Sequence, residues 1–216
     1  MKVTAILPLK EKSLRLKNKN ILDLNGKPLF NHMLFTLSQI SEISRICIFS
    51  SSQFYKKYLT QNNINFLHIQ RPTNLDRDDC SINEVLREFI KVEDADIYVL
   101  AHATSPYLKV SSIQKCINSV LSGEYDSAFP ASLFFKFAQF QGRALNYKID
   151  QELKPTSDLD PVVIEQGGLY VFTKEMFNLK NRRVGIKPFI CPINFPESID
   201  IDYEFELDIA RKLNSS

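Results

Sequence analysis

Apolar positions along the chain fall into short runs of strand length, separated by stretches with helical spacing. "VTAILPL" is such a run, and "PLFNHMLFTLSQI" carries Leu29, Met33, Leu34 and Leu37 at the spacing of one helix face, with Pro28 at its start. "RICIF" reads as a second buried strand followed by a helical "QFYKKYLTQNN", and "NFLHI" as a third strand. "SINEVLREFIKV" sets Ile82, Val85, Leu86 and Phe89 on one face of an amphipathic helix. A fourth strand "DIYVLA", a helix "SSIQKCINSVL" and a fifth strand "DSAFPA" follow. This β-α alternation predicts an α/β fold, a mostly parallel sheet with helices on both faces.

The rhythm breaks between about Leu133 and Glu165, where Phe134, Phe135, Phe137 and Phe140 crowd together without a clean period. Apolar side chains on an irregular excursion suit a surface covered by another subunit; a hairpin folded back on its own domain is the alternative. Strand and helix signals return with "GGLYVF", "TKEMFNL" and "IKPFICPI", and the segment "SIDIDYEFELDIARKL" follows.

Composition narrows the classes. The chain has 216 residues, 44% of them hydrophobic, which suits one globular domain with a real core. A net charge of +2 gives no positive excess of the kind that duplex nucleic acid demands, so a nucleic-acid partner is not expected. Cys47, Cys80, Cys116 and Cys191 are widely spaced with no C-x-x-C pair, which reads as reduced cytoplasmic thiols rather than a zinc site or disulfide framework. No apolar stretch approaches the roughly 20 residues of a membrane span, and the N-terminus carries no signal-peptide pattern.

Three places can carry chemistry. Lys10, Lys12, Arg15, Lys17 and Lys19 crowd into the loop after the first strand. Ligands of parallel α/β sheets bind beyond the carboxyl ends of strands, and these cations match a triphosphate; a solvated basic surface is the alternative. The glycine-rich Walker pattern is absent. In "IDID", Asp200 and Asp202 would point to the same side of an extended strand, which suits magnesium with substrate phosphates; Asp202 could equally be the N-cap of the last helix. In "AHATSPY", after the fourth strand, Thr104 and Ser105 offer hydroxyls at a turn and His102 lies beside them; a plain connection into the next helix is the alternative.

Taken in order, these segments resemble the acylneuraminate cytidylyltransferase family. The family's P-A-R-x-x-S-K-x-x-P-x-K-N appears here as "PLKEKSLRLKNKN", matching at Pro8, Ser13, Lys19 and Asn20, with Lys10 at an arginine position, Leu14 at a lysine and Lys17 at a proline. "NGKPLF" resembles the segment that follows, "RPTNLDRDDCSINEVL" the R-P-x-x-L-x-x-D stretch, and "HATSPY" a Q-P-T-S-P-L in which His102 replaces glutamine. "DLDPVVIEQGGLYVF" and "SIDIDYEFELDIA" resemble two later segments, so the likeness covers nearly the whole chain.

The resemblance implies a three-layer α/β/α, Rossmann-like fold of the nucleotide-sugar transferase type, in one domain over residues 1–216 with a dimerisation insertion at about 133–165. It implies a cytoplasmic homodimer that joins CTP to a 3-deoxy-2-keto sugar acid of the nonulosonic type, such as sialic, legionaminic or pseudaminic acid, and releases pyrophosphate. Lys10, Lys19 and Arg15 would hold the triphosphate and stabilise the leaving group. Leu9, Lys10, Ser13, Lys19, Asn20 and Ser81 would contact nucleotide. His102, Thr104, Ser105 and Glu165 would face the acidic sugar, and Asp200 and Asp202 would bind Mg2+. An octulosonate-type enzyme, another nucleotidyltransferase and a non-catalytic nucleotide-binding module are the competing readings.

Overall fold

In a computed structural model, residues 1–59 and 64–213 are described. Eight strands form one sheet: β1 (Val3–Pro8), β2 (Arg45–Ser50), β3 (Leu67–Gln70), β4 (Ile97–Ala101), β5 (Ser127–Phe134), β6 (Val162–Glu165), β7 (Leu169–Thr173) and β8 (Pro188–Pro192). The order is β6-β5-β7-β4-β1-β2-β3, with β8 also on β5. β1 runs parallel to β2 and β4, β2 to β3, and β5 to β8, while β6 and β7 run antiparallel to their neighbours. The parallel majority is as expected, but "GGLYVF" returns antiparallel.

The helices are α1 (Leu29–Ser38), α2 (Ile82–Val92), α3 (Val110–Leu121), α4 (Lys174–Lys180) and α5 (Glu204–Leu213). Leu34 and Leu37 of α1 and Ile113 and Ile117 of α3 pack on one face of the sheet. Leu86 and Phe89 of α2 and Phe177 of α4 pack on the other, against Ile6, Tyr98 and Leu100. Three layers result, as the alternation predicts. The helical reading of "QFYKKYLTQNN" is met only by a 3-10 turn over Phe54–Tyr58, and its residues 60–63 lie outside the described residues.

Two features build the region beyond the strand ends. The run from β6 into β7 follows β5, but the seven residues from Glu165 to Val171 are matched by only four from Ala131 to Ala128. Gln166–Gly168 absorb the excess as a bulge beside the end of β4, where His102 N–H donates to the Gly168 carbonyl at 2.9 Å. The second feature is a small apolar cluster in which Leu16 of the basic loop packs with Ile201, Leu24, Leu29, Leu207 and Ala210. This cluster clamps the basic loop to the aspartate segment, although the two are far apart in sequence.

Candidate active site

β1 stops at Pro8, and the chain turns out through Leu9, which is fully buried and donates its N–H to the Phe49 carbonyl at 3.0 Å. The loop then closes on itself. Asn20, itself buried, donates Nδ2–H to the Lys10 carbonyl at 2.8 Å, and Asn18 takes the left-handed conformation ahead of the 3-10 turn Lys19–Ile21. A cavity of about 520 Å³ opens under the loop. Lys10, Lys12, Ser13, Arg15, Lys19 and Asn20 line one wall, with His102 and Thr104 beyond them and Arg71, Asp78, Ile82 and Val85 opposite.

The cations are held by carboxylates. Lys10 Nζ lies 2.6 Å from Asp78 Oδ1, Lys19 Nζ 2.6 Å from Asp202 Oδ1, and Arg15 Nη1 2.6 Å from Asp202 Oδ2. Arg15 also lies over the Tyr203 ring. Glu11, the acidic group within the loop, is turned to Ser52 and accepts its hydroxyl at 3.1 Å. Leu14 is largely exposed at the rim of the cavity.

The aspartate segment forms no strand, because residues 199–202 pair with no sheet neighbour. Its alternation survives: Ile201 is buried in the third cluster and donates its N–H to the Thr104 carbonyl at 2.8 Å, while the aspartates flank it. Asp200 Oδ1 is buried without a hydrogen-bond partner. Burial raises the Asp200 pKa, a hydrogen bond from Thr104 works against that rise, and the Asp202 charge adds to it. Nor is Asp202 the N-cap of α5: the helix begins at Glu204 and the Asp202 carboxylate is turned to Lys19 and Arg15, while the Glu206 carboxylate accepts the N–H groups of Asp202 and Tyr203 at 2.6 and 2.8 Å.

His102 keeps an edge in the cavity. Burial of its ring, and then the charges of Arg183 and Lys19, lower its pKa to about 4. At neutral pH it is an uncharged imidazole that can donate one hydrogen bond and accept another.

Lys10, Ser13, Arg15, Lys19, Asn20, His102 and Thr104 thus share one cavity, with Asp200 and Asp202 beside it. Leu9 is core. Ser81 is the N-cap of α2, bonded reciprocally with Glu84 in a capping box. Ser105 is buried against Gly168, where an added Cβ would lie 2.0 Å from the Ser105 Oγ. Glu165, on β6, accepts the Tyr170 hydroxyl at 3.0 Å. Two further lining cations, the loop residue Lys12 and Arg71, stand outside the site residues that the resemblance implies. Lys12 lines the cavity rather than only facing solvent, and Arg71 does so with a side chain almost wholly buried. Arg71 pairs with Asp76 but leaves its Nε without a partner. The only signal for Arg71 was its place in the quoted "RPTNLDRDD" stretch.

A cation-lined cavity at the carboxyl ends of β1 and β4 in a mixed α/β sheet lies where such sheets take their ligands, and its charge suits a phosphate-bearing one. The chain belongs to the cytidylyltransferase family, whose profile matches residues 4–187. It is 25% identical over 225 residues to the CMP-N,N'-diacetyllegionaminic acid synthase of Legionella pneumophila, covering 99% of this chain and 96% of that one. It is 25% identical over 211 residues to the N-acylneuraminate cytidylyltransferase of Streptococcus agalactiae serotype V, covering 94% of this chain. The match spans only 51% of that relative, about half its length. Among solved structures, CMP:2-keto-3-deoxy-manno-octonic acid synthetase complexed with CTP superposes with a TM-score of 0.71 at 16% identity, covering 100% of this chain and 99% of that one. That likeness speaks for the fold alone. No helix among the described residues is long and apolar enough to cross a membrane.

Proposed function

We propose that the chain transfers CMP from CTP to the anomeric hydroxyl of an acidic 3-deoxy-2-keto sugar of the nonulosonic type, releasing pyrophosphate. The observation that carries this reading is the convergence of Lys10, Lys12, Arg15, Lys19 and Arg71 on one cavity beside a buried carboxylate. A triphosphate brings about four negative charges, and several cations on preorganised backbone neutralise them as the leaving group develops charge. Lys19 and Arg15 are held ready by Asp202, and Lys10 by Asp78; an incoming phosphate takes over these partners. Asn20 keeps the loop closed and Ser13 faces the nucleotide. His102, Thr104 and Ser105 stand on the acceptor side, His102 acting uncharged.

The donor set fits magnesium. Asp200 and Asp202 are oxygen ligands, one with an orphaned buried oxygen, and Mg2+ commonly takes one or two carboxylates with phosphates and water. Asp200 and Asp202 would hold it, and it would supply polarisation of the α-phosphate and favour deprotonation of the attacking hydroxyl. Among the described residues no group of three or more His, Cys, Asp or Glu is arranged to hold a metal ion.

The partners in this reading are CTP, the acidic sugar and a second copy of the chain, in the reducing cytoplasm that four free cysteines suit. The test is pyrophosphate release with each nucleoside triphosphate against sialic, legionaminic, pseudaminic and octulosonic acids, with and without Mg2+. Release confined to CTP, a nonulosonic acid and Mg2+ is expected. Release with UTP or GTP instead assigns another nucleotidyltransferase activity. CTP binding without turnover on any acid assigns a non-catalytic nucleotide-binding module.

A further inference from the structure

A second cationic group approaches His102 from the side away from the basic loop. The sheet order puts β4 between β1 and β7, so the end of β4 has the loop after β1 on one flank and Tyr170 of β7 on the other. The cations that line the cavity all belong to the β1 flank or to the segment after β3. On the β7 flank, Arg183 lays its guanidinium over the Tyr170 ring, 4.1 Å from the centroid. Its Nη2 donates to Tyr170 Oη at 3.3 Å, and that hydroxyl donates to Glu165 Oε2 at 3.0 Å.

This chain of contacts has a direction. Tyr170 is buried, and Val184, next to Arg183, packs on the same core face. Stacking occupies the face of the guanidinium and leaves its edge N–H groups to fork around a planar anion. The recorded hydrogen bond of the Arg183 fork goes to a neutral hydroxyl, and its charge reaches the His102 ring. A flat bidentate donor matches a carboxylate better than a tetrahedral centre being attacked.

We propose that Arg183 binds the carboxylate of the acceptor, with Tyr170 and Glu165 as positioning residues that hold its fork toward His102. This rests on the acceptor being a 2-keto sugar acid, whose carboxylate is attached to the anomeric carbon that bears the attacking hydroxyl. Gripping that carboxylate fixes the hydroxyl relative to the α-phosphorus. The assignment also gives Glu165 a role through Tyr170 rather than by direct contact with the sugar.

The test compares wild type with Arg183→Ala, Arg183→Lys and Tyr170→Phe, using the sugar acid that the wild type turns over and its methyl ester. Arg183→Ala should lower kcat/KM for the acid about tenfold to a hundredfold, while KM for CTP stays within about twofold. Arg183→Lys should recover part of the loss, and Tyr170→Phe should raise the acceptor KM about threefold with kcat kept. Wild type should prefer acid over ester, and Arg183→Ala should lose that preference. Equal losses for acid and ester, an unchanged acceptor kcat/KM, or a matching loss of CTP affinity would overturn the proposal alone. A wild type that turns over no sugar acid overturns the functional reading and this assignment with it. The CTP-induced thermal shift reports folding of each variant, and Arg183→Lys carries the test if the alanine variant does not fold.

Discussion

Asp200 carries a tension that one substitution exposes. Its carboxylate is largely buried, lacks a partner at Oδ1 and faces the Asp202 charge, so its pKa is raised in the folded state. A raised folded pKa means that the protonated form supports folding. Stability from this group is therefore full below the unfolded value of about 4 and is lost as pH rises through the folded pKa. Asp200→Asn should raise Tm at pH 7 by roughly 2 °C without added metal, with the gain vanishing in acid. The same substitution should remove Mg2+-dependent pyrophosphate release. Thermal melts across pH, paired with the release assay, check both; a neutral or lowered Tm at pH 7 would show that the buried charge is not the cost argued here. His102 has the opposite sign, because its pKa is depressed to about 4, so its contribution is present above about 6.5 and fades as pH falls toward 4.

At the scale of elements, the bulge between β6 and β7 sets the acceptor side. Gly168 sits where no Cβ fits: one would lie 2.0 Å from the Ser105 Oγ and 2.4 Å from the Ser105 Cβ. Gly168→Ala should cost about 1–3 kcal/mol in chemical denaturation, as overpacking does. Ser105→Gly removes both close atoms and leaves the Ser105 Cα at 3.8 Å, so the double substitution should regain most of that loss. Additive losses would mean that the bulge is held by something other than this contact. The strands were legible because their apolar runs are short and bounded. The bulge was not, because "EQGGLY" shows two glycines without saying which neighbour each approaches.

For the whole molecule, the excursion after β5 carries the prediction about association. Phe134, Phe135, Phe137, Phe140, Ile149 and Ile164 are each at least 40% exposed. Exposed apolar side chains in such number suit a contact surface, and a homodimer is the partner proposed above. Phe140→Asp with Ile149→Asp should convert a dimer to monomer in sizing with light scattering, while CTP-induced thermal stabilisation persists. An unchanged dimer would move the interface elsewhere, and a monomeric wild type would end the homodimer reading.

Much of this protein was readable from one dimension. Short, bounded apolar runs told strands from helices with their 3.6-residue spacing, since side-chain direction follows directly from backbone geometry. The loop after β1 could be marked as a site because its charge is unusual for core and its place at a strand end is a consequence of topology. What only the tertiary structure decided is who meets whom across long stretches of chain. Leu16 and Ile201 share one apolar cluster, and Lys19 and Arg15 reach Asp202. Arg71 enters the cavity, Ser81 is spent on a helix cap, and Arg183 stacks on Tyr170. Local spacing is insensitive to such pairings, because they depend on how distant segments pack and on which buried polar group each must satisfy. The basic loop was therefore visible as charge from the start, but its counterions and its opposite wall came only with the packed fold.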